Sequence, residues 1–139
     1  MTRIVVDASI TAAIILLDEA TERDDAVRTA FPDAALHVPA HWATEVASLI
    51  SKAERRERIT CEERNAHLNE AGAILATGTI AQPALSRATI DSAVQKNLTA
   101  YDAAYLELAL RLGASLASND GDLNDAARAR GVPILTTCP

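Results

Sequence analysis

Apolar and polar positions along the chain follow two alternating rhythms, one short and β-branched, the other spaced at three and four residues. The run RIVV (residues 3–6) predicts a strand, and ASITAAIILL directly after it has the composition of a helix. A second helix is expected over residues 21–31, where Pro32 stops it, and ALHV (residues 35–38) reads as the second strand. Pro39 is expected to open the next helix, since a first helical position does not need its missing N–H. That helix runs through residue 56 with Trp42, Val46, Leu49 and Ile50 on one face. Thr60 and Glu63 have the form of a capping box at the head of a helix reaching about Gly78. TIAQPAL (residues 79–85) predicts irregular backbone or a brief edge strand, because Pro83 cannot donate to a ladder. Helices follow over residues 90–98 and 99–112, the second closed by Gly113; SLAS (residues 115–118) is a third clear strand. A helix over residues 123–130 closed by Gly131 and a last strand in PILTT complete the pattern.

Strands alternating with helices predict an α/β fold: a central parallel sheet with helices on both faces. With 139 residues and no linker, repeat or low-complexity segment, residues 1–139 are expected to form a single domain with one core. Nearly half of the residues are apolar, but only Phe31, Trp42, Tyr101 and Tyr105 are aromatic, so the core must be built from Ala, Leu, Ile and Val. Cys61 and Cys138 follow no metal-ligand spacing and read as reduced thiols, which suits a reducing cytoplasm. The N-terminal apolar run is too short for a signal peptide and is interrupted by Asp7, and no segment is long enough to span a bilayer, so no membrane association is expected. The net charge of −6 argues mildly against broad non-specific binding to nucleic acid, although acids gathered in one site lower the pI as well.

The position of those acids carries more information than their number. In an open parallel sheet the ligand crevice lies beyond the carboxyl ends of the strands, where strand order reverses. Asp7 directly follows the first strand, and Asp120 falls two residues after SLAS, at the same end of the sheet. Glu45 stands about two turns into its helix, at the edge of the Trp42 and Leu49 stripe. Asp102 shares a helix face with Leu98, Leu106 and Ala109 and therefore points inward. Each acid has an ordinary structural explanation taken alone: Asp7 as a helix cap, Asp102 as the acidic half of a capping box with Thr99, Glu45 as a solvated residue beside a core stripe, and Asp120 and Asp122 as turn and cap residues. Together they are harder to explain so, because bringing two carboxylates within about 4 Å costs on the order of 4 kcal/mol at an effective dielectric near 20. A bound cation reverses that sign. Carboxylate oxygens without His or Cys select a hard ion, Mg²⁺ or Mn²⁺.

These motifs resemble, from end to end, those of PIN-domain ribonucleases of the VapC toxin type. IVVDAS is similar to that family's opening strand and first aspartate, VPAHWATEVAS to its proline followed by the glutamate helix, and LTAYDAAYLELALRLGASLAS to its most specific block. SNDGDLNDAARARGVPIL is similar to the closing block, with a Ser or Thr two residues before the last aspartate. The resemblance implies an acidic site of Asp7, Glu45, Asp102 and Asp120, with Asp7, Asp102 and Asp120 holding Mg²⁺ or Mn²⁺ and Glu45 acting through water or on a second ion. Ser118 would support the site. Asp120 and Asp122 compete for the last ligand position, and register favours Asp120. The implied activity is hydrolysis of a structured RNA such as tRNA or rRNA, leaving a 5′-phosphate and a 3′-hydroxyl. The implied partners are an inhibitory antitoxin of the VapB type and a second copy of the chain.

Other chemistries find little support in the sequence. No nucleophile elbow, Walker loop or dinucleotide fingerprint occurs, and His37, His41 and His67 lie in no zinc or nucleophile pattern. The basic run KAERRER (residues 52–58) reads as a solvated helix end, and Tyr101 and Tyr105, at helical spacing, as core residues. A receiver-type Mg²⁺-binding α/β domain would need a lysine after its last strand, and none follows PILTT. A PIN-like interaction protein without activity is the remaining alternative; the presence of all four acids counts against it.

Overall fold

The computed structural model describes residues 2–16, 33–76, 78–82 and 85–135. Five strands form one sheet: β1 (Thr2–Val6), β2 (Ala34–Pro39), β3 (Thr79–Ala81), β4 (Ser115–Ala117) and β5 (Ile134–Leu135). Their spatial order is β3-β2-β1-β4-β5, and every pair is parallel. The chain therefore builds outward from β1 to β3 on one side, then returns to lay β4 and β5 on the other. The reversal falls between β1 and β4, where Val6 is opposite Ala117.

Six helices flank the sheet among the described residues: α1 (Ala8–Ile15), α2 (Trp42–Arg55), α3 (Cys61–Ala76), α4 (Arg87–Lys96), α5 (Ala100–Leu112) and α6 (Gly121–Ala129). Helices α1, α2 and α3 pack on one another, while α5 lies against β1, β2 and β4 and carries α4 and α6 beside it. The burial of β1 shows that both faces are covered. Ile4, Val5 and Val6 point alternately to opposite faces, and all three are buried. The core is aliphatic and alanine-rich, as expected, with Trp42 and Tyr105 as its fully buried aromatic side chains. Trp42 also fixes α2 against α1: its Nε1 donates to Thr11 Oγ1 at 3.3 Å, and the Thr11 hydroxyl donates to the Asp7 carbonyl at 3.0 Å.

Several element boundaries differ from the sequence expectation for identifiable reasons. Pro39 does not open a helix; it is the last, buried residue of β2, opposite Ala81 at the end of the β2–β3 ladder, and α2 begins three residues later. A proline is tolerated there because few ladder bonds remain to be made. Helix α4 begins at Arg87 rather than at residue 90, because Ser86 caps it by accepting from the Thr89 N–H. TIA forms the expected brief edge strand. The capping box of Thr60 and Glu63 is present with both reciprocal bonds, at 3.1 and 3.2 Å. Tyr101 is not a core residue but is exposed, whereas Tyr105 is buried. Cys61 is a free, exposed thiol. The helix expected over residues 21–31 and Cys138 lie outside the described residues. Among the described residues no helix is long and apolar enough to cross a membrane.

Candidate active site

The end of β1 fixes the first acid. The Asp7 N–H donates to the Ala117 carbonyl at 3.0 Å, which carries the ladder one residue past the strand, and the chain then turns into α1 with Asp7 as its cap. Asp7 Oδ1 accepts from the Ile10 N–H at 3.1 Å and from the Ser9 hydroxyl at 2.5 Å; Oδ2 accepts from the Ser118 hydroxyl at 2.6 Å. The residue is buried, and burial pushes its carboxyl above the usual range even though bonds from Ser118, Ser9 and the Ile10 amide pull the other way.

The end of β4 does the same for the last acid. Asp120 caps α6 by accepting from the Leu123 N–H at 2.9 Å, and its own N–H donates to Ser118 Oγ at 3.0 Å. Ser118 is fully buried and bonded to both aspartates, so one hydroxyl couples the ends of the two central strands across the point where strand order reverses.

The other two acids come from helices. Asp102 lies in the first turn of α5, with its N–H on the Thr99 hydroxyl at 3.1 Å. Burial and then the charge of Asp120 push its carboxyl up to about 6; Asp7 and Glu45 add to the repulsion, while a hydrogen bond with Thr99 opposes it. Glu45 lies in the first turn of α2. Its Oε1 accepts from the Tyr105 hydroxyl at 2.9 Å and is 3.1 Å from His41 Nε2, off the line of a good hydrogen bond. Burial raises Glu45, but the contacts with His41 and Tyr105 outweigh it and hold the carboxyl below its ordinary value. Burial and the Glu45 charge push the Tyr105 phenol strongly upward, so it remains a donor.

Asp7, Glu45, Asp102 and Asp120 line one open cleft of about 220 Å³, together with Ser9 and Lys52. The four acids singled out in the sequence are thus brought together from four segments. Asp122 is not brought there: it is exposed in the first turn of α6 and borders a separate depression with Lys96 and Asp125. A larger cavity of about 270 Å³ includes His41 but none of the four acids. Lys52, read from sequence as part of a solvated helix end, lines the acidic cleft two turns beyond Glu45. His41 and Tyr105 were likewise not recognisable as site residues. Their contact with Glu45 depends on how α2 packs against α5.

The model of the PIN domain family matches residues 4–129 of the chain. The chain is a PIN domain. PIN domains are typically nucleases. Among solved structures, PAE2754 from Pyrobaculum aerophilum is similar with a TM-score of 0.71 at 21% identity, over 96% of this chain and 91% of that one. FitAcB from Neisseria gonorrhoeae is similar with a TM-score of 0.57 at 17% identity, over 95% of this chain and 96% of that one. A domain of a functionally unknown protein from Methanocaldococcus jannaschii gives 0.55 at 14% identity, over 100% and 93%. These similarities show a shared fold. None of the curated proteins matches this PIN domain.

The donor set of the cleft is all carboxylate, which suits a hard divalent cation. Asp120, Asp7 and Glu45 add to burial in raising the proton affinity of Asp102. Among the described residues no three acidic, histidine or cysteine side chains are arranged closely enough to hold a metal ion as they stand. Both oxygens of Asp7 already accept hydrogen bonds from hydroxyls and an amide. In chemistry the PIN domain's acids suit a cation, and they line one open cleft.

Proposed function

We propose that this PIN domain is a Mg²⁺- or Mn²⁺-dependent endoribonuclease, a toxin of the VapC type acting on a structured RNA such as tRNA or rRNA. The observation that carries the reading is the convergence of four carboxylates, from the ends of two strands and the first turns of two helices, in one cleft where they raise the proton affinity of Asp102. Mutual repulsion of that kind has a purpose when a cation is to be bound there. Asp7, Asp102 and Asp120 would hold the ion, with Ser118 fixing Asp7 and Asp120 relative to each other and Glu45 acting through water or on a second ion. A divalent ion bound there would supply Lewis acidity and a hydroxide-like nucleophile at neutral pH. Water would attack phosphorus in line and the P–O3′ bond would break, leaving a 5′-phosphate and a 3′-hydroxyl with no covalent intermediate. Lys52, which lines the acidic cleft, would meet a backbone phosphate of the RNA.

The toxin part of the reading rests on the sequence motifs, which imply an antitoxin of the VapB type and a homodimer. Exposed apolar side chains support protein partners: Ile80 on edge strand β3, Leu85 before α4, and Ile90 and Val94 on α4.

The nuclease is tested by incubating purified protein with total RNA in Mg²⁺, Mn²⁺ or EDTA. Cleavage is expected with either metal and not in EDTA, and undiminished cleavage in EDTA would overturn the assignment. Co-expression with the product of an adjacent small gene tests the toxin reading separately. A stable complex that relieves toxicity is expected; a product that neither co-purifies nor protects would remove the toxin reading and leave the nuclease standing.

A further inference from the structure

Glu45 differs from the other three acids in its surroundings. Asp7 and Asp120 cap helices at strand ends by accepting from backbone amides, and Asp102 is bonded with Thr99, whereas Glu45 projects from α2 on a side chain with three rotatable bonds. Two groups restrain it, and both contact the same oxygen: Tyr105 donates to Oε1 at 2.9 Å, and His41 Nε2 lies 3.1 Å from it. Neither group is loose. Tyr105 is buried in the core of α5. His41, one turn before Glu45, is held edge-on between two rings, with centroid distances of 5.1 Å to Tyr105 and 5.2 Å to Tyr101.

Tyr105 is also one helical turn after Asp102 on the same helix. A single phenol therefore ties the acid of α2 to the helix that carries the acid of α5. Resting on the nuclease reading above, we propose that Tyr105 and His41 are positioning residues: Tyr105 bonds Oε1 of Glu45, His41 sits against the same oxygen and packs on the Tyr105 ring, and together they hold the Glu45 carboxylate at the cleft it shares with Asp102. Neither touches substrate. A phenol that only needed a partner for burial would be equally satisfied by any acceptor; the shared oxygen and the turn-length link to Asp102 are features of alignment.

The test uses the full chain and the variants Y105F, H41A, H41Q and E45Q, with two measurements: RNA cleavage kinetics with Mn²⁺, and Mn²⁺ affinity by calorimetry without RNA. Loss of an orienting partner of this kind costs on the order of tenfold in activity or metal affinity. Y105F is expected to lower kcat and weaken Mn²⁺ binding about that much, with KM changed less than about twofold, the pattern of a group acting on the reacting state and not on substrate binding. H41A should do the same more weakly, and H41Q, which keeps a donor, should recover part of the loss. In the E45Q background Y105F should add nothing further, because the group it aligns is already compromised. If E45Q is impaired while Y105F matches wild type in both measurements, or if Y105F costs as much in E45Q as in wild type, the positioning role is overturned and the nuclease reading survives. If E45Q itself cleaves and binds Mn²⁺ like wild type, Glu45 leaves the site and the proposal falls with it. Should Y105F lose stability, H41A and H41Q, whose ring is partly exposed, decide by the same criteria.

Discussion

Burial is the largest cause that raises the proton affinity of both Asp7 and Asp102, but only Asp102 is raised further by neighbouring acids. Asp7 is buried at the end of β1 with both oxygens taken up by donors, and desolvation is what raises it. Asp102 is partly exposed in the first turn of α5, and three other acids contribute to its shift. The first carboxylate is part of the scaffold and caps a helix. The second is a charge placed against like charges, which the fold tolerates at some cost. Burial alone does not distinguish the two acids of the cleft; the identity of their nearest partners does.

The largest expected effect breaks the likeness between the two. On the proposed reading, Asp102→Asn and Asp7→Asn should both abolish Mn²⁺-dependent RNA cleavage, since each would remove a ligand charge. Metal-induced stabilisation, about 2.7 kcal/mol at a hundredfold excess over Kd for an ion that binds only the folded state, should disappear in Asp102→Asn. Thermal melts with Mn²⁺ and with EDTA read this directly, and an Asp102→Asn protein that still responds fully to metal would return Asp102 to a purely structural role. Next in size is Ser118→Ala, which removes the donor to Asp7 Oδ2 and leaves the Asp120 N–H without its acceptor. A buried group left unsatisfied costs about 2 kcal/mol, to be measured by urea denaturation in EDTA.

Smaller effects sharpen the contrast. In metal-free buffer at pH 7, Asp102→Asn should be more stable than wild type by about 1 kcal/mol, a figure reduced for solvent screening of a half-exposed group. The sign follows from linkage. Because the folded-state pKa of about 6 exceeds the ordinary value of 3.8, the folded chain binds more protons between these limits, and wild-type stability falls as pH rises from about 4 to about 6. The advantage of Asp102→Asn should therefore be small at pH 4 and fully developed above pH 6; urea denaturation across that range, with no pH dependence of the difference, would contradict the electrostatic account. The smallest effect belongs to Lys52→Ala. Weakened RNA binding in EDTA by no more than a few-fold, with the log–log salt slope reduced by about 1, is expected for one lost phosphate contact.

The strand ends were legible in the sequence because a short β-branched run followed at once by an aspartate fixes both a place and a role. RIVV and SLAS located Asp7 and Asp120 at one end of the sheet before any packing was known. Asp102 was legible from helical periodicity, which placed a charge on an apolar face. What sequence could not supply was the contact between helices. Tyr105 lies 60 residues from the glutamate it bonds, and nothing local to either residue signals the pair. Local rules also misled where two of them applied. Pro39 satisfies the preference for a first helical position, yet its actual place is the end of a parallel strand, where its lack of an N–H is equally harmless. Ser86 caps α4 four residues ahead of Ile90, where the apolar pattern of that helix begins, so periodicity alone starts the helix too late.

The single hydroxyl of Ser118, bonded to the acids at the ends of both central strands, has a consequence for how this protein can be inactivated by mutation. Changes at Asp7, Ser118 or Asp120 disturb caps and strand ends together with the site, so alleles lost there should be recovered as low-abundance, protease-sensitive protein. Changes at Asp102 leave the scaffold intact or firmer, so alleles lost there should accumulate as full-length, folded and silent protein. Variants at these positions scored for activity and by immunoblot would sort the acidic cleft into these two phenotypic classes, and a silent but abundant product would still present its folded surface to any partner that recognises it.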